Sequence, residues 1–206
     1  MLDVAKLPVG GMQTNCYIIK TSENNAVIID PGADEERIFR WLENNSLKPT
    51  KILLTHGHFD HINAVEALKK RYGASVYIHS ADECMLSDEN KSLAYLFEPQ
   101  TFFPTSADVL LSDGDLIEQD GVFIKVLHSP GHSAGSACFI CEDCFFAGDT
   151  LFAGSAGRTD FYSGSYKVQK ETLSMLKQIE EDYRLFCGHG EDSTLRTEQE
   201  TNPFMP

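Results

Sequence analysis

The apolar run Ile52-Leu53-Leu54 passes directly into Thr55-His-Gly-His-Phe-Asp-His61, which holds three of the chain's seven histidines. A short β-branched and leucine-rich run of this kind is a buried strand, so the imidazoles sit where a strand stops. His56 and His58 are two residues apart, and in an extended segment both rings project to one side. Gly57 between them permits a tight turn. Asp60 and His61 fall on the next turn, several ångströms further along, and suit a second metal rather than the first. Mixed imidazole and carboxylate donors are borderline-hard, which favours Zn²⁺, Mn²⁺ or Fe²⁺ over Cu⁺.

Three more candidate ligands occupy the same kind of position. His132 in Ser129-Pro-Gly-His-Ser-Ala-Gly135 follows the strand 122–127, Asp149 in Ala147-Gly-Asp-Thr150 follows 144–146, and His189 in Phe186-Cys-Gly-His-Gly190 follows 184–187. Each is preceded by glycine, which lets the backbone turn sharply and bring the ligand in. Five histidines and two aspartates suffice for two sites of three protein ligands that share one carboxylate, leaving each cation an open position. A serine nucleophile using Ser133 and His132 is set aside, because no G-x-S-x-G elbow is present.

The rest of the chain reads as alternating strands and helices. Strands are expected at 14–20 and 26–30, joined by the turn Ser22-Glu23-Asn24-Asn25. A helix capped by Asp34 carries Ile38, Phe39, Trp41 and Leu42 and ends near Asn44-Asn45. Strands at 51–55 and 75–79 flank a helix over 63–71, stopped by Gly73. In the second half, strands are expected near 109–111, 122–127, 136–140, 144–147 and 184–187, with helices over 166–181 and 193–200. The segment 88–106, with Tyr95, Phe97, Pro99, Phe102, Phe103 and Pro104, is irregular. It is either a loop covering the substrate or a satellite core. Strand clusters in each half, each followed by helices, predict an α/β protein with two mixed sheets packed face to face and helices outside, an αββα four-layer sandwich.

Composition narrows the partners. The formal net charge is −14, and no basic block occurs. That argues against nucleic acid and anionic membrane surfaces, which require a positive footprint. The N-terminus has neither the basic nor the apolar region of an export signal, and no apolar run is long enough to span a bilayer, so a cytoplasmic protein is expected. In that compartment the six cysteines are expected as thiols rather than disulfides. Cys138, Cys141 and Cys144 have C-x-x-C spacing, but lack a second pair or a nearby histidine to complete a zinc site. They read as inward-facing strand positions. His79 and His128, in or beside strands, read as packing groups. The oligomeric state is not legible.

The ordered set His56-x-His58-x-Asp60-His61, His132, Asp149, His189, with Asp30 in Ile28-Ile-Asp-Pro-Gly32, resembles the metallo-β-lactamase superfamily. The resemblance implies the αββα fold over a single domain, 1–206. It also implies two divalent cations, zinc first among the candidates and iron or manganese next. One would be held by His56, His58 and His132, the other by Asp60, His61 and His189, with Asp149 bridging and Asp30 ordering the metal loop from behind. The stretch Gly148-Asp-Thr-Leu-Phe through Gly157-Arg-Thr-Asp-Phe161 and the ending Gly188-His-Gly-Glu are similar to the short glyoxalase II-like branch. That branch implies a hydroxyacylglutathione hydrolase-like activity on a small-molecule thioester, through a hydroxide bridging the metals, with Asp60 receiving its proton. The separate C-terminal domain that helps hold glutathione in full-length glyoxalase II is not expected here. Arg158 and Tyr162 are the candidate substrate contacts, and Arg158 has the alternative of an ion pair with Asp160. Persulfide dioxygenases share a Gly-Arg-Thr-Asp-Phe stretch and use one iron, which here would fall to His56, His132 and Asp149. A lactonase and a non-catalytic metal-binding module are the remaining alternatives.

Overall fold

Successive residues of the central strands are apolar on both parities, and each parity packs against a different layer. The computed structural model describes residues 2–205 other than 99 and 101. Its first sheet has six strands in the order β1 (Val4–Val9), β2 (Thr14–Lys20), β3 (Asn25–Ile29), β4 (Lys48–Leu54), β5 (Ser75–His79) and β6 (Val109–Leu111). Ile18, Ile28, Ile52 and Val76 face outward onto α1 (Glu35–Asn44) and α3 (Val65–Tyr72), where Ile38, Leu42, Val65 and Leu68 bury their side chains. Tyr17, Ile19, Val27, Ile29 and Leu53, of opposite parity, face the second sheet. That sheet runs β14 (Ser193–Thr194), β13 (Arg184–Cys187), β10 (Cys144–Gly148), β9 (Ala137–Cys141), β8 (Val122–His128) and β7 (Leu116–Gln119). Phe139 and Phe146 point between the sheets, while Cys138, Phe145 and Leu185 meet α5 (Tyr166–Leu176) and α6 (Leu195–Thr201) on the far side. Strands covered on both faces read as continuous apolar runs. A separate two-stranded ribbon, β11 (Leu151–Phe152) and β12 (Ser155–Ala156), follows β10. The layers are helix, sheet, sheet, helix, as the alternation of elements predicted.

Strand direction puts the candidate ligands at one rim. β3 and β4 are parallel, as are β10 and β13, and β8 reaches the same direction as β10 through two antiparallel pairings. The carboxyl ends of β3, β4, β8, β10 and β13 therefore face the same end of the sandwich, the usual place for ligands in open sheets. The rims of the two sheets are joined there: Thr14 bridges to His189, Asn15 N donates to Gly188 O at 2.7 Å, and the Tyr17 hydroxyl donates to Cys187 O at 2.6 Å.

Several elements depart from the sequence reading. β1 and β7 were not expected; both are edge strands, and β1 contains Pro8, which an edge tolerates. Asp34 precedes α1 but makes no side-chain cap: its φ is +55°, and its carboxylate accepts instead from Gly10 N at 2.9 Å. The helix expected over 63–71 is α3, stopped by Gly73 as read, and a short helix that was not expected, α2 (Phe59–Ile62), precedes it; Ala64 N, between the two, donates to Pro31 O at 3.0 Å. α5 stops at Leu176 rather than 181, since Glu180, Glu181 and Asp182 would crowd carboxylates at the negative end of the helix dipole. All six cysteines are unpaired; Cys138, Cys141 and Cys144 are buried strand residues, with Cys141 and Cys144 opposite each other across a two-residue turn.

The segment 88–106 is part core and part surface. Leu93 and Ala94 pack on Phe59 with Phe102 and Phe161 beside them, while Tyr95, Leu96 and Phe97 of the short helix α4 (Ala94–Phe97) and Phe103 stay exposed. Pro99 lies outside the described residues. His79 and His128 stack face to face, with ring centroids 4.0 Å apart.

Candidate metal centre

The loop after β4 carries His56 and His58, and α2, which begins just after His58, carries Asp60 and His61. His132 arrives from the β8–β9 connection, Asp149 from the end of β10 and His189 from the end of β13. The ligand atoms of His56, His58 and His132 lie within 4.8 Å of one another. Those of Asp60, His61 and His189 form a second such group, and Asp149 groups with His56 and His61 between the two. All seven candidate ligands named from the sequence are thus together.

Hydrogen bonds fix which nitrogen of each ring faces inward. His132 Nδ1 donates to Arg158 O at 2.7 Å and His189 Nδ1 to Met12 O at 3.2 Å. His61 Nδ1 donates to the Asp30 carboxylate at 2.9 Å. The Thr55 hydroxyl gives its proton to Asp30 Oδ2 at 2.6 Å, so it accepts from His56 Nδ1 at 3.1 Å. Each of these partners is an acceptor, so the Nε2 atoms of His56, His61, His132 and His189 are left as lone pairs when the rings are neutral. They converge: His56 Nε2 is 3.3 Å from His132 Nε2, and His61 Nε2 is 3.4 Å from His189 Nε2. His58 joins through Nδ1, 2.9 Å from His132 Nε2. Asp149 Oδ2 is 3.5 Å from His189 Nε2 and 3.7 Å from His132 Nε2, and its buried Oδ1 has no hydrogen-bond partner among the described residues. Lone pairs and carboxylate oxygens at these separations repel unless positive charge lies among them, and divalent cations fit that donor set.

Without metal, protons take that role unevenly. Burial and the neighbouring rings of His61, His58 and His132 hold His56 well below the usual imidazole range, and burial with His132 lowers His58 to about 3. Burial also opposes charge on His61, but Asp60, Asp149 and Asp30 outweigh it and raise the ring well above its ordinary value. His189 is pushed up to about 9 by Asp149 and Asp60, again against burial. Asp60 falls to about 2 because His61 and His189 outweigh its burial.

Residues behind the ligands hold the geometry. Asp30, in the left-handed region at φ +50°, accepts from Thr55 N at 2.8 Å as well as from Thr55 Oγ1 and His61. Two such residues were missed in the sequence. Thr14 Oγ1 donates to Asp60 Oδ2 at 2.8 Å. Asp82, fully buried in the 3₁₀ segment Ser80–Leu86, accepts from Gly57 N at 3.2 Å, Ser133 Oγ at 2.6 Å and Gly135 N at 2.7 Å. It thereby ties the His56–His58 loop to the His132 loop. An isolated Asp between alanine and glutamate gives no signal of this; only the fold brings it there.

A cavity of about 400 Å³ opens over the centre, lined by His58, Asp60, His132, Asp149, His189, Arg158 and apolar side chains. Arg158 is at the cavity, yet its guanidinium makes two 2.7 Å bonds to Asp160, the alternative raised for it. Tyr162 is not among the lining residues; its hydroxyl lies 3.9 Å from Cys84 Sγ.

The family model described as the metallo-beta-lactamase superfamily matches residues 9–189. The chain belongs to that superfamily. Among its members, the hydroxyacylglutathione hydrolase GloC of Haemophilus influenzae is 34% identical over 218 residues, covering 99% of this chain and 98% of the relative. The crystal structure of the BLEG-1 B3 metallo-beta-lactamase superposes with a TM-score of 0.92 at 34% identity, over 98% of this chain and 99% of that one. TTHA1623 in a di-iron-bound form superposes with a TM-score of 0.86, also at 34% identity, over 97% of this chain and 99% of that one. The superfamily membership and the clustered donors together describe a metallo-hydrolase scaffold with a divalent-metal site. No helix among the described residues is long and apolar enough to cross a membrane.

Proposed function

We propose that the chain is a dinuclear metal-dependent thioester hydrolase, converting a thioester and water into a carboxylic acid and a thiol. The observation that carries this reading is the inward convergence of five imidazoles and two carboxylates as two overlapping donor sets. A one-iron site built on His56, His132 and Asp149 would leave the second donor set of Asp60, His61 and His189 without a cation, which favours the hydrolase over the dioxygenase. Likeness to a hydroxyacylglutathione hydrolase points the same way. Bound there, two cations, zinc first among the candidates, would lower the pKa of a shared water and polarise the substrate carbonyl.

The protein's own residues supply the remainder. Asp60, anchored by Thr14, takes the proton of the attacking water. Asp30 and the carbonyls of Arg158 and Met12 fix the imidazoles that face the reacting carbonyl. Among the described lining residues there is no lysine and no carboxylate other than Asp60 and Asp149 to protonate a leaving group. A thiolate, weakly basic, departs without a general acid, whereas an amine does not, and this selects thioesters over amides.

The test is metal analysis combined with turnover. Protein expressed without metal supplement should carry two divalent cations per chain and cleave thioesters without consuming oxygen. One iron per chain together with oxygen uptake on a persulfide would overturn the proposal in favour of a dioxygenase, and turnover confined to lactones would make the enzyme a lactonase.

A further inference from the structure

Substrate choice is written in the wall of the cavity. Apart from the candidate ligands and Arg158, its side chains are Met12, Phe59, Leu93, Phe97, Phe152 and Phe161. Phe97 stacks on Phe59 with centroids 5.6 Å apart and planes at 14°, and meets Phe161 edge-on at 6.1 Å. Phe161 in turn meets the His58 ring edge-on at 6.2 Å. The aromatic face therefore runs without interruption from a candidate ligand to the mouth. Met12 and Phe97 are 49% and 48% exposed there, large apolar surfaces that water covers poorly and a ligand would cover well.

Arg158, the one lysine or arginine among the described lining residues, does not offset the apolar character of the wall. Arg158 is engaged by both oxygens of Asp160 and lies over the Phe161 ring, 4.0 Å from guanidinium carbon to centroid. Its charge is already paired with Asp160 and it rests on the Phe161 ring, so it is not a free anion receptor. With the chain at −14, an anionic group entering this cavity meets no uncompensated lysine or arginine among the described lining residues. None of the side chains of Met12, Phe59, Leu93, Phe97, Phe152 and Phe161 offers a hydrogen bond to replace the water lost by a hydroxyl group on the acyl chain.

We infer that this aromatic wall is the acyl subsite and selects uncharged, apolar acyl groups, straight-chain or aryl, over short hydroxylated ones. The inference rests on the thioester reading above and narrows its substrate class. Each methylene that reaches the wall raises kcat/KM by about fourfold, the value of burying one CH₂, until the chain outgrows the cavity.

The experiment uses the zinc-loaded full chain with N-acetylcysteamine thioesters, whose carrier is small and neutral, bearing acetyl, butyryl, hexanoyl, benzoyl and lactoyl groups. A rise from acetyl to hexanoyl of about fourfold per methylene supports the inference, as does a flattened slope in Phe97→Ala and Phe161→Ala. Rates that are flat or fall with chain length, a lactoyl ester faster than the butyryl ester, or an unchanged slope in both variants overturns it. Calorimetric binding of ethyl and hexyl thioether analogues, which have no carbonyl to cleave, separates the two levels. Tighter hexyl binding with no turnover of any thioester keeps the apolar subsite and removes the hydrolase. Turnover with equal binding of both analogues keeps the hydrolase and removes the subsite.

Discussion

Replacing Asp82 by alanine tests whether the two loops that deliver His58 and His132 are held by one buried carboxylate. The substitution leaves the buried Gly57 and Gly135 amides without acceptors, while Ser133 Oγ retains Ser136 Oγ at 2.7 Å. An orphaned buried donor costs about 1–3 kcal/mol. Part of that is returned, because burial, outweighing the three donors, raises the Asp82 pKa and so penalises its charge. A raised folded-state pKa means this titration favours the folded state only at low pH, so at neutral pH the carboxylate's charge is a cost that alanine removes. A net loss of about 3 kcal/mol follows from two orphaned amides less this relief. In a chain of this length that lowers Tm by about 6–12 °C. Metal affinity should fall as well, by about 10–100-fold, the usual effect of removing a group that orients ligands from behind. Asp82→Asn keeps the volume and one acceptor oxygen but turns an NH₂ toward one of the three donors, so a smaller loss in both quantities is expected. Scanning calorimetry of the metal-free protein and competition titration with a chromogenic chelator read the two effects separately. A lower Tm with unchanged metal affinity would refute the reasoning, since Asp82 would then support the fold without positioning the ligands.

Asp149→Ala should empty both metal positions together, because its carboxylate stands between the two donor sets; two equivalents retained by elemental analysis would exclude a bridging role. Gly188→Ala places a methyl carbon 2.1 Å from Asp149 Oδ1, and displacing that carboxylate by about 1 Å should cost about 100-fold in turnover, measured at matched metal occupancy. In the metal-free protein His189 titrates up at about 9, above its ordinary 6.5. Its pairing with Asp149 and Asp60 therefore stabilises that form fully below pH 6.5 and is lost as pH rises through about 9. Chelated protein should lose chemical stability between pH 7 and pH 10 at this site, and metal binding at pH 7 should release protons to the buffer; titrations in buffers of different ionisation enthalpy check the latter.

The sandwich was legible because strands covered on two faces are apolar on both parities, and the ligands were legible because each follows a strand across a glycine or within one dense run. What was not legible depends on distance in sequence. β1 and β7 pair on one side only and carry mixed residues, so their periodicity is weak. Asp82 and Thr14 act on loops far from them in the chain, and nothing local distinguishes them from surface residues. Asp34 shows the opposite case: its local sequence is that of a helix cap, but a tertiary acceptor need at Gly10 takes the carboxylate away. Tyr162 follows the Arg158–Phe161 stretch, yet the turn carries its ring away from the cavity toward Cys84.

The centre draws its donors from both sheets, and its assembly does not depend on metal alone. Asn15 and Tyr17 of the first sheet hydrogen-bond the carbonyls of Gly188 and Cys187 in the second, beside His189, and Ala137 N donates to Thr55 O at 2.8 Å, beside His56. These backbone partners are buried, and the three large apolar clusters contain none of the candidate ligands. A scaffold stitched in this way holds convergent lone pairs and carboxylates against their mutual repulsion, which is the state a metal site must occupy before loading. The repulsion is then relieved by whatever positive charge enters, protons on His61 and His189 in the metal-free protein or divalent metal in the loaded one. Chelation should accordingly abolish turnover while leaving the far-ultraviolet circular dichroism largely intact, and a chain that unfolds on chelation would instead be one whose ligands serve folding.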